Sequence, residues 1–259
     1  MSIKCVILAG SPSKSYMYGG EQTTSFTAKL VEEIKSGMAD TEFEEIRLAD
    51  VALPYCRGCY NCFYSGEQFC PHKTLMQPII EKMKAADCLI LSSPVYALHI
   101  SALVKNFFDL GAYNFHRPSF FTKKAIVVSS TAGGGAATAC AYMKSTLKHW
   151  GYNRVYKLPV VRMGAVEPKN NLKAKCQKLG KKLYQDTASL KLHSPTYKRI
   201  FFYQVWRIMS QKTPGPDKTH WQESGLVNRV FAPGIRLGPF KFLFGKMMHG
   251  IMGAAMKNV

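Results

Sequence analysis

Three stretches of this chain, KCVILAGS (4–11), CLILSSPVY (88–96) and KAIVVSSTAGGG (124–135), are apolar almost throughout and stop at serine, glycine or proline. A strand that is apolar at nearly every position must be covered on both faces, which points to a parallel sheet flanked by helices. Helical patterns fill the intervals. Phe26, Leu30, Val31 and Ile34 mark one face of a helix over 24–38, and Leu75, Ile79, Ile80 and Met83 mark a second. Residues 101–113 and 136–150 read as the third and fourth helices, and Asn170 or Asn171 is placed to cap a last one running to about Leu190. FEEIRLADV (43–51) alternates like a half-buried strand, and RVYKLPVVRMG (154–164) supplies a fifth. Strands and helices alternating through short links predict an α/β fold, a doubly wound five-stranded parallel sheet, and of the two common doubly wound orders 2-1-3-4-5 is the one expected.

The alternation ends near residue 190. Residues 1–190 are therefore expected to form one domain, and residues 191–259 a partly helical, aromatic and basic extension packing on the domain or a partner subunit. In YKRIFFYQVWRIM (197–209) the apolar side chains nearly encircle a helix, which argues for burial. The net charge of +19 is uneven: residues 1–164 carry 18 Lys+Arg against 12 Asp+Glu, whereas residues 165–259 carry 17 against 4. Such an excess suits either an anionic partner or a solvated face that keeps the protein soluble. No basic-aromatic motif of a nucleic-acid module accompanies it, so no nucleic acid is expected. No run reaches the roughly 18 apolar residues of a membrane span, and the opening MSIKCVILAGSPSKS turns polar too early for a secretory signal. The expected address is cytoplasmic.

In an open parallel sheet, ligands bind beyond the carboxyl ends of the strands, where the strand order reverses. The three apolar runs end at that edge and are neighbours in the order 2-1-3-4-5, so their loops should form one site. The first loop is rich in hydroxyls, Ser11, Ser13, Ser15, Thr23, Thr24, Ser25 and Thr27, and leads into a helix amino end, an arrangement that favours a phosphate. It has neither G-x-G-x-x-G nor G-x-x-x-x-G-K-[ST], which favours a monoester over a pyrophosphate. In the second loop Pro94 fixes the backbone and Tyr96 can stack on a flat ring. In the third, Gly133, Gly134 and Gly135 leave room for a ring system to approach the backbone.

These loops resemble those of the flavodoxin-fold NAD(P)H-dependent FMN reductases and quinone reductases. GSP with hydroxyls followed by SFTAKL resembles that family's phosphate loop, and SSPVYALHISALVKNFFD, with Leu103, Lys105 and Asp109 on its helix, resembles its second loop. The resemblance covers about residues 1–190 and implies FMN as cofactor and NAD(P)H as electron donor. By position it implies that Ser11, Ser13, Ser25, Phe26 and Thr27 contact the FMN phosphate. Pro94, Val95, Tyr96 and Ala97 would line the isoalloxazine together with Thr131, Ala132, Gly133, Gly134 and Gly135. Phe26 stands where the family more usually has Asn, so its backbone N–H is the contributing group, and SYMYGGEQT is longer than the common loop. The implied activity takes hydride from NAD(P)H and passes electrons to a quinone, a flavin or a redox protein. It requires no side chain as acid or base. His99 lies near the expected ring, Lys105 and Asp109 read as a surface pair, and a homodimer is expected.

One motif is left over. Cys56, Cys59, Cys62 and Cys70, in CRGCYNCFYSGEQFC, read C-x2-C-x2-C-x7-C, and the first three resemble the cluster-binding run of bacterial ferredoxins. The spacing is also similar to the compact motif of iron-sulfur flavoproteins, a branch of the same fold. Reductases of this family that are not known to carry a cluster look alike here, so the loop holds either a [4Fe-4S] cluster or four reduced thiols beside the flavin. A zinc site is disfavoured because three ligands crowd more tightly than in paired C-x2-C knuckles. Three functions stay open at this point: an FMN-dependent oxidoreductase, an iron-sulfur flavoprotein electron carrier, and a non-catalytic flavodoxin-like module that uses its basic tail to bind.

Overall fold

The computed structural model describes residues 2–18, 21–212 and 214–256. Its sheet is built from β1 (Ile3–Ala9), β4 (Thr41–Arg47), β5 (Cys88–Tyr96), β7 (Lys124–Thr131) and β8 (Arg154–Val161). These run parallel in the order β4-β1-β5-β7-β8, the expected order 2-1-3-4-5. A short β6 (His99–Ile100) folds back antiparallel on the end of β5. An antiparallel hairpin, β2 (Ser15–Tyr18) with β3 (Glu21–Thr24), lies off the sheet inside the first loop.

The period of two along each strand explains the two cores. Val6 and Leu8, Leu89 and Leu91, and Ala125 and Val127 point to one face, beneath α4 (Lys73–Ala85), α5 (Ala102–Leu110) and α6 (Ala136–His149). Cys5 and Ile7, Cys88 and Ile90, and Ile126 and Val128 point to the other, beneath α1 (Phe26–Lys35) and α7 (Asn170–Ala188). Each of these strands is buried on both sides, as its composition requires. The edge strand β8 is buried only at Val155, Leu158 and Val160 and carries Pro159, which an edge tolerates. Between α1 and α7 the backbones touch through glycine. A Cβ on Gly37 would lie 2.0 Å from the Gln177 carbonyl oxygen, and one on Gly180 2.0 Å from that of Ile34.

Several sequence expectations need local correction. The second strand starts at Thr41 and ends at Arg47, after which Leu48–Val51 turns into α2 and buries Leu48. On α4 the core position is Met76 rather than Leu75, which is 40% exposed. The last helix of the alternating unit begins at Asn170 itself, preceded by Lys169 in an extended conformation that makes no side-chain cap, so neither asparagine caps it.

Beyond Ala188, α8 (Tyr197–Lys212), α9 (Pro216–Glu223) and α10 (Pro239–Ala255) gather a third, smaller core around Ile200, Tyr203, Trp221, Leu226 and Phe231. Proline at the start of α9 and of α10 fits the first turn, where an N–H would have no intrahelical acceptor. Among the described residues no helix is long and apolar enough to cross a membrane.

Candidate functional site

The carboxyl ends of β1, β5 and β7 meet as the strand order requires, and hydrogen bonds lock their loops together. Gly10 N–H donates to the Ser92 carbonyl at 2.8 Å. Ser101, which caps α5, donates its hydroxyl back to the Gly10 carbonyl at 2.7 Å and receives the Val104 N–H. The Ser93 hydroxyl accepts from Ser101 N–H at 2.9 Å, and Ser129 donates to the Ser93 carbonyl at 2.9 Å. Thr27 and Ser130 share a buried hydroxyl–hydroxyl bond of 2.7 Å, joining the start of α1 to the end of β7. Gly10 has no alternative at this junction, because a Cβ there would fall 2.1 Å from Val104 Cγ2 and 2.7 Å from the Ser92 oxygen.

On this rim the expected residues are placed as follows. Ser25 precedes α1 and is buried, yet its side chain makes no cap to the helix. The first-turn amides, those of Phe26, Thr27 and Ala28, have no acceptor within the helix, and no acidic residue occupies that turn. The Ser25 hydroxyl instead accepts from Ser11 at 3.3 Å, and Ser11 also reaches the Ser13 carbonyl at 2.8 Å. Ser13 hydrogen-bonds the Ser15 carbonyl at the foot of the β2–β3 hairpin. Ser11, Ser13 and Thr27, with Lys14, Thr24 and Ser92, line a cavity of about 660 Å³. Pro94 to Ala97 and Thr131 to Gly135 do not line it; they form the open part of the rim.

The open rim has two features that a planar ligand would use. Ala97 and Leu98 both have positive φ, 47° and 63°, and make the two-residue turn between Tyr96 and His99. Left-handed backbone at an alanine and a leucine is strained, and strain of this kind gathers at ligand clamps. Tyr96 and Leu98 are exposed. Opposite them, Gly133 has open space where a Cβ would stand, whereas Gly135, at φ 94°, is pressed against Leu98, whose carbonyl oxygen would meet a Cβ at 2.6 Å. His99 packs edge-on to Tyr142, 4.9 Å between ring centres. Lys105 and Asp109 form the expected surface pair at 2.5 Å.

Uncapped amides beside a cluster of hydroxyls fit a phosphate ester, and a glycine edge facing a strained, aromatic-bearing turn fits a flat ring. The first loop therefore has the donor set for FMN, and the second and third have the space for it.

The four-cysteine loop lies between α2 and α4. Cys56, Cys59, Cys62 and Cys70 line a second cavity, of about 280 Å³. All eight cysteines of the chain are free thiols. Burial, reinforced by repulsion from Cys70 and opposed by Arg117, pushes the Cys62 thiol up to about 11. Among the described residues no three His, Cys, Asp or Glu side chains converge closely enough to hold a metal ion. The thiols thus share a cavity without meeting at a common centre. His72 lines the same cavity, and its Nε2 is buried without a hydrogen-bond partner.

Two residues that sequence reasoning did not single out hold this loop. Asn106, on α5, donates to the Leu53 and Pro54 carbonyls at 3.0 and 3.1 Å and accepts from Cys56 N–H at 3.1 Å. Arg117 donates to the Cys62 carbonyl at 2.5 Å and pairs with Glu67 and Asp217. A polar residue in line with Leu103 and Leu110 on the inner face of the ALVKNFFDL helix was a readable signal for Asn106. For Arg117 there was none.

The chain is 33% identical over 151 residues to an iron-sulfur flavoprotein of Archaeoglobus fulgidus, covering 58% of this chain and 64% of the relative, so it spans a little under two thirds of that protein's length. It is 23% identical over 229 residues to an iron-sulfur flavoprotein of Clostridioides difficile, covering 85% of this chain and 98% of that one. Among solved structures, the flavoenzyme NAD(P)H:(acceptor) oxidoreductase FerB of Paracoccus denitrificans superposes with a TM-score of 0.52 at 18% identity, over 73% of this chain and all of the other, a likeness of fold. The sequence profile of the NADPH-dependent FMN reductases matches residues 3–163, which include all three rim loops and the four-cysteine loop, and the chain belongs to that family.

Proposed function

We propose that this protein is an FMN-dependent oxidoreductase that takes electrons from NAD(P)H and delivers them to a small acceptor such as a quinone or a flavin, or to a redox protein. The observation that carries this reading is the convergence of three loops, fastened by Gly10–Ser92, Ser101–Gly10 and Thr27–Ser130, on an uncapped helix amino end. When bound, FMN would supply the hydride and electron chemistry. The chain's part is to bind and orient. Ser11, Ser13, Ser25 and Thr27, with the amides of Phe26 and Thr27, would hold the phosphate. Pro94, Val95, Tyr96 and Ala97 would bound one side of the ring, and Thr131 to Gly135 the other. The exposed Tyr96 and Leu98 leave that side open to a second planar molecule or to a partner subunit, in keeping with a homodimer.

Titration of flavin-free protein with FMN, followed by quenching of flavin fluorescence, tests the binding. Saturation at one FMN per chain, and NADPH oxidation that depends on added FMN and a quinone or dye, are expected. Absence of saturable FMN binding would falsify the reading.

A second reading is favoured by one observation, that four thiols line a single cavity with an unpartnered His72 nitrogen. In that reading Cys56, Cys59, Cys62 and Cys70 ligate a [4Fe-4S] cluster and the protein relays single electrons. The relatives named iron-sulfur flavoproteins support it. Iron and sulfide analysis of anaerobically purified protein separates the two: about four of each per chain supports the cluster, and flavin without iron removes it.

A further inference from the structure

A strongly basic cavity lies away from the flavin rim. A cavity of about 600 Å³ opens between the carboxyl end of α6, the start of β8 and α8 of the extension. Eight basic side chains line it, among them Lys144, Lys148, His149, Arg154, Lys198 and Arg199, and no aspartate or glutamate does. Asp186 does not line it and is already bonded to His193 Nε2 at 2.7 Å and to the Tyr156 hydroxyl at 3.0 Å.

Two of these basic side chains have structural work. Arg199 donates to the Gly151 and Lys148 carbonyls at 2.9 and 3.4 Å, and Lys148 Nζ to the Asn153 carbonyl at 2.6 Å, so both close the carboxyl end of α6. Neither is balanced by an acidic neighbour. Burial, then repulsion from Arg199, Lys144 and Arg154, pushes Lys148 down to about 6. Burial alone lowers Arg199 to about 10. His149 is lowered by burial, with Arg199 and Lys198 adding to it. Every charged neighbour acting on Lys148 and His149 is another cation. Part of the remaining wall is aromatic, with half-buried Phe121, Phe202 and Trp206 turning part of their rings to the space.

Neither half of this lining suits a simple ligand. A bare inorganic anion would satisfy the cations and leave the aromatic wall wet, while an apolar molecule would leave the cations uncompensated. We propose that this cavity is a second ligand site, separate from the flavin rim, for a small molecule that joins a flat aromatic ring to two or more negative charges, the chemistry of a nucleoside polyphosphate. The ring would lie against Phe202 and Trp206, and the phosphates would meet Lys144, Arg154 and Lys198. The site stands at the opposite end of α6 from Gly135. At 1.5 Å per residue, Lys148 is roughly 20 Å along the helix from that glycine, so one small ligand does not reach both.

The test is calorimetric titration of the full chain with ATP, adenosine and inorganic pyrophosphate, each with and without saturating FMN. ATP should bind saturably at one per chain whether or not FMN is present, and adenosine and pyrophosphate at least tenfold more weakly. Lys144→Ala with Lys198→Ala, which spares the two cations that close α6, should weaken ATP at least tenfold with no change in Tm. The proposal is overturned by the absence of saturable ATP binding at millimolar concentration, by pyrophosphate binding as tightly as ATP, by competition between ATP and FMN, or by an unaltered affinity in the double variant.

Discussion

Arg117 and Asp217, one hundred positions apart in sequence, form an ion pair that ties the carboxyl extension to the four-cysteine loop. The Arg117 side chain is only 4% exposed, and the same guanidinium reaches the Cys62 carbonyl and, at 3.0 Å, Glu67. Asp217 in turn accepts from His116 Nδ1 at 2.8 Å, and the Trp221 indole of the same helix donates to the His116 carbonyl at 2.7 Å. The extension is therefore fastened to the residues that present the thiols.

Asp217→Asn should expose this dependence. Burial raises the Asp217 carboxyl, but the His116 hydrogen bond and the Arg117 charge outweigh it and hold the group below the usual carboxylate range. Breaking a buried pair costs about 3–5 kcal/mol; with Glu67 still beside Arg117, about 2 kcal/mol is expected from urea unfolding. A depressed carboxyl stabilises the fold above its unfolded pKa, so the gap between wild type and variant should be complete above about pH 5 and close as pH falls below about 4. Alkylation of Cys62 by iodoacetamide should also quicken in the variant. An unchanged rate would mean that the clamp does not govern the loop.

Two glycines of the rim should respond in opposite ways. Gly10→Ala forces a Cβ to 2.1 Å from Val104 and should cost about 1–3 kcal/mol of stability, as overpacked sites do. Gly133→Val points into open space and should leave unfolding within about 0.5 kcal/mol of wild type. Its branched side chain would stand where the ring is proposed to lie, so FMN affinity should fall about tenfold, or about 1.4 kcal/mol. Equal FMN affinity in Gly133→Val would move the ring away from the third loop.

Asn106 sits buried on α5, where three backbone groups depend on it. Asn106→Leu leaves the Leu53 and Pro54 carbonyls and the Cys56 amide without their partner, each partly able to turn to water. A loss of about 2 kcal/mol is expected from chemical denaturation, together with faster amide exchange at Cys56. A neutral substitution would show that the loop entrance is held by other contacts.

The strands that position the site were legible because burial on both faces leaves a continuous apolar run, whereas the sheet order came from the flavodoxin-like resemblance, since helices in every interval do not by themselves fix it. Ser15–Tyr18 and Glu21–Thr24 were not read as a hairpin, since four-residue strands off the sheet bury too little to impose a pattern. The Arg117–Asp217 pair was illegible for a different reason. An ion pair across one hundred residues depends on how the extension returns to the domain, and no local spacing encodes that. The basic excess of residues 165–259 was visible as a count, but its counterpart on α6 and β8, Lys144, Lys148 and Arg154, became meaningful only when folding placed it opposite Lys198 and Arg199.

Lys148 offers a check on that juxtaposition that needs no ligand. A buried lysine whose native pKa is pushed to about 6 binds fewer protons in the folded than in the unfolded state throughout the interval up to its ordinary value of 10.5. Stability should therefore rise with pH across that interval, because the unfolded chain gives up the proton that the folded chain already lacks. Lys148→Met removes the linkage along with one hydrogen bond to the Asn153 carbonyl. It should be about 1 kcal/mol more stable than wild type near pH 7, with the difference shrinking toward pH 10 as the unfolded lysine also becomes neutral. Thermal unfolding of both proteins at four pH values between 6 and 10 would read this directly. A variant that is less stable at every pH would mean that Lys148 is charged and compensated in the native protein, and that the cationic cavity already has its counter-ion within the fold.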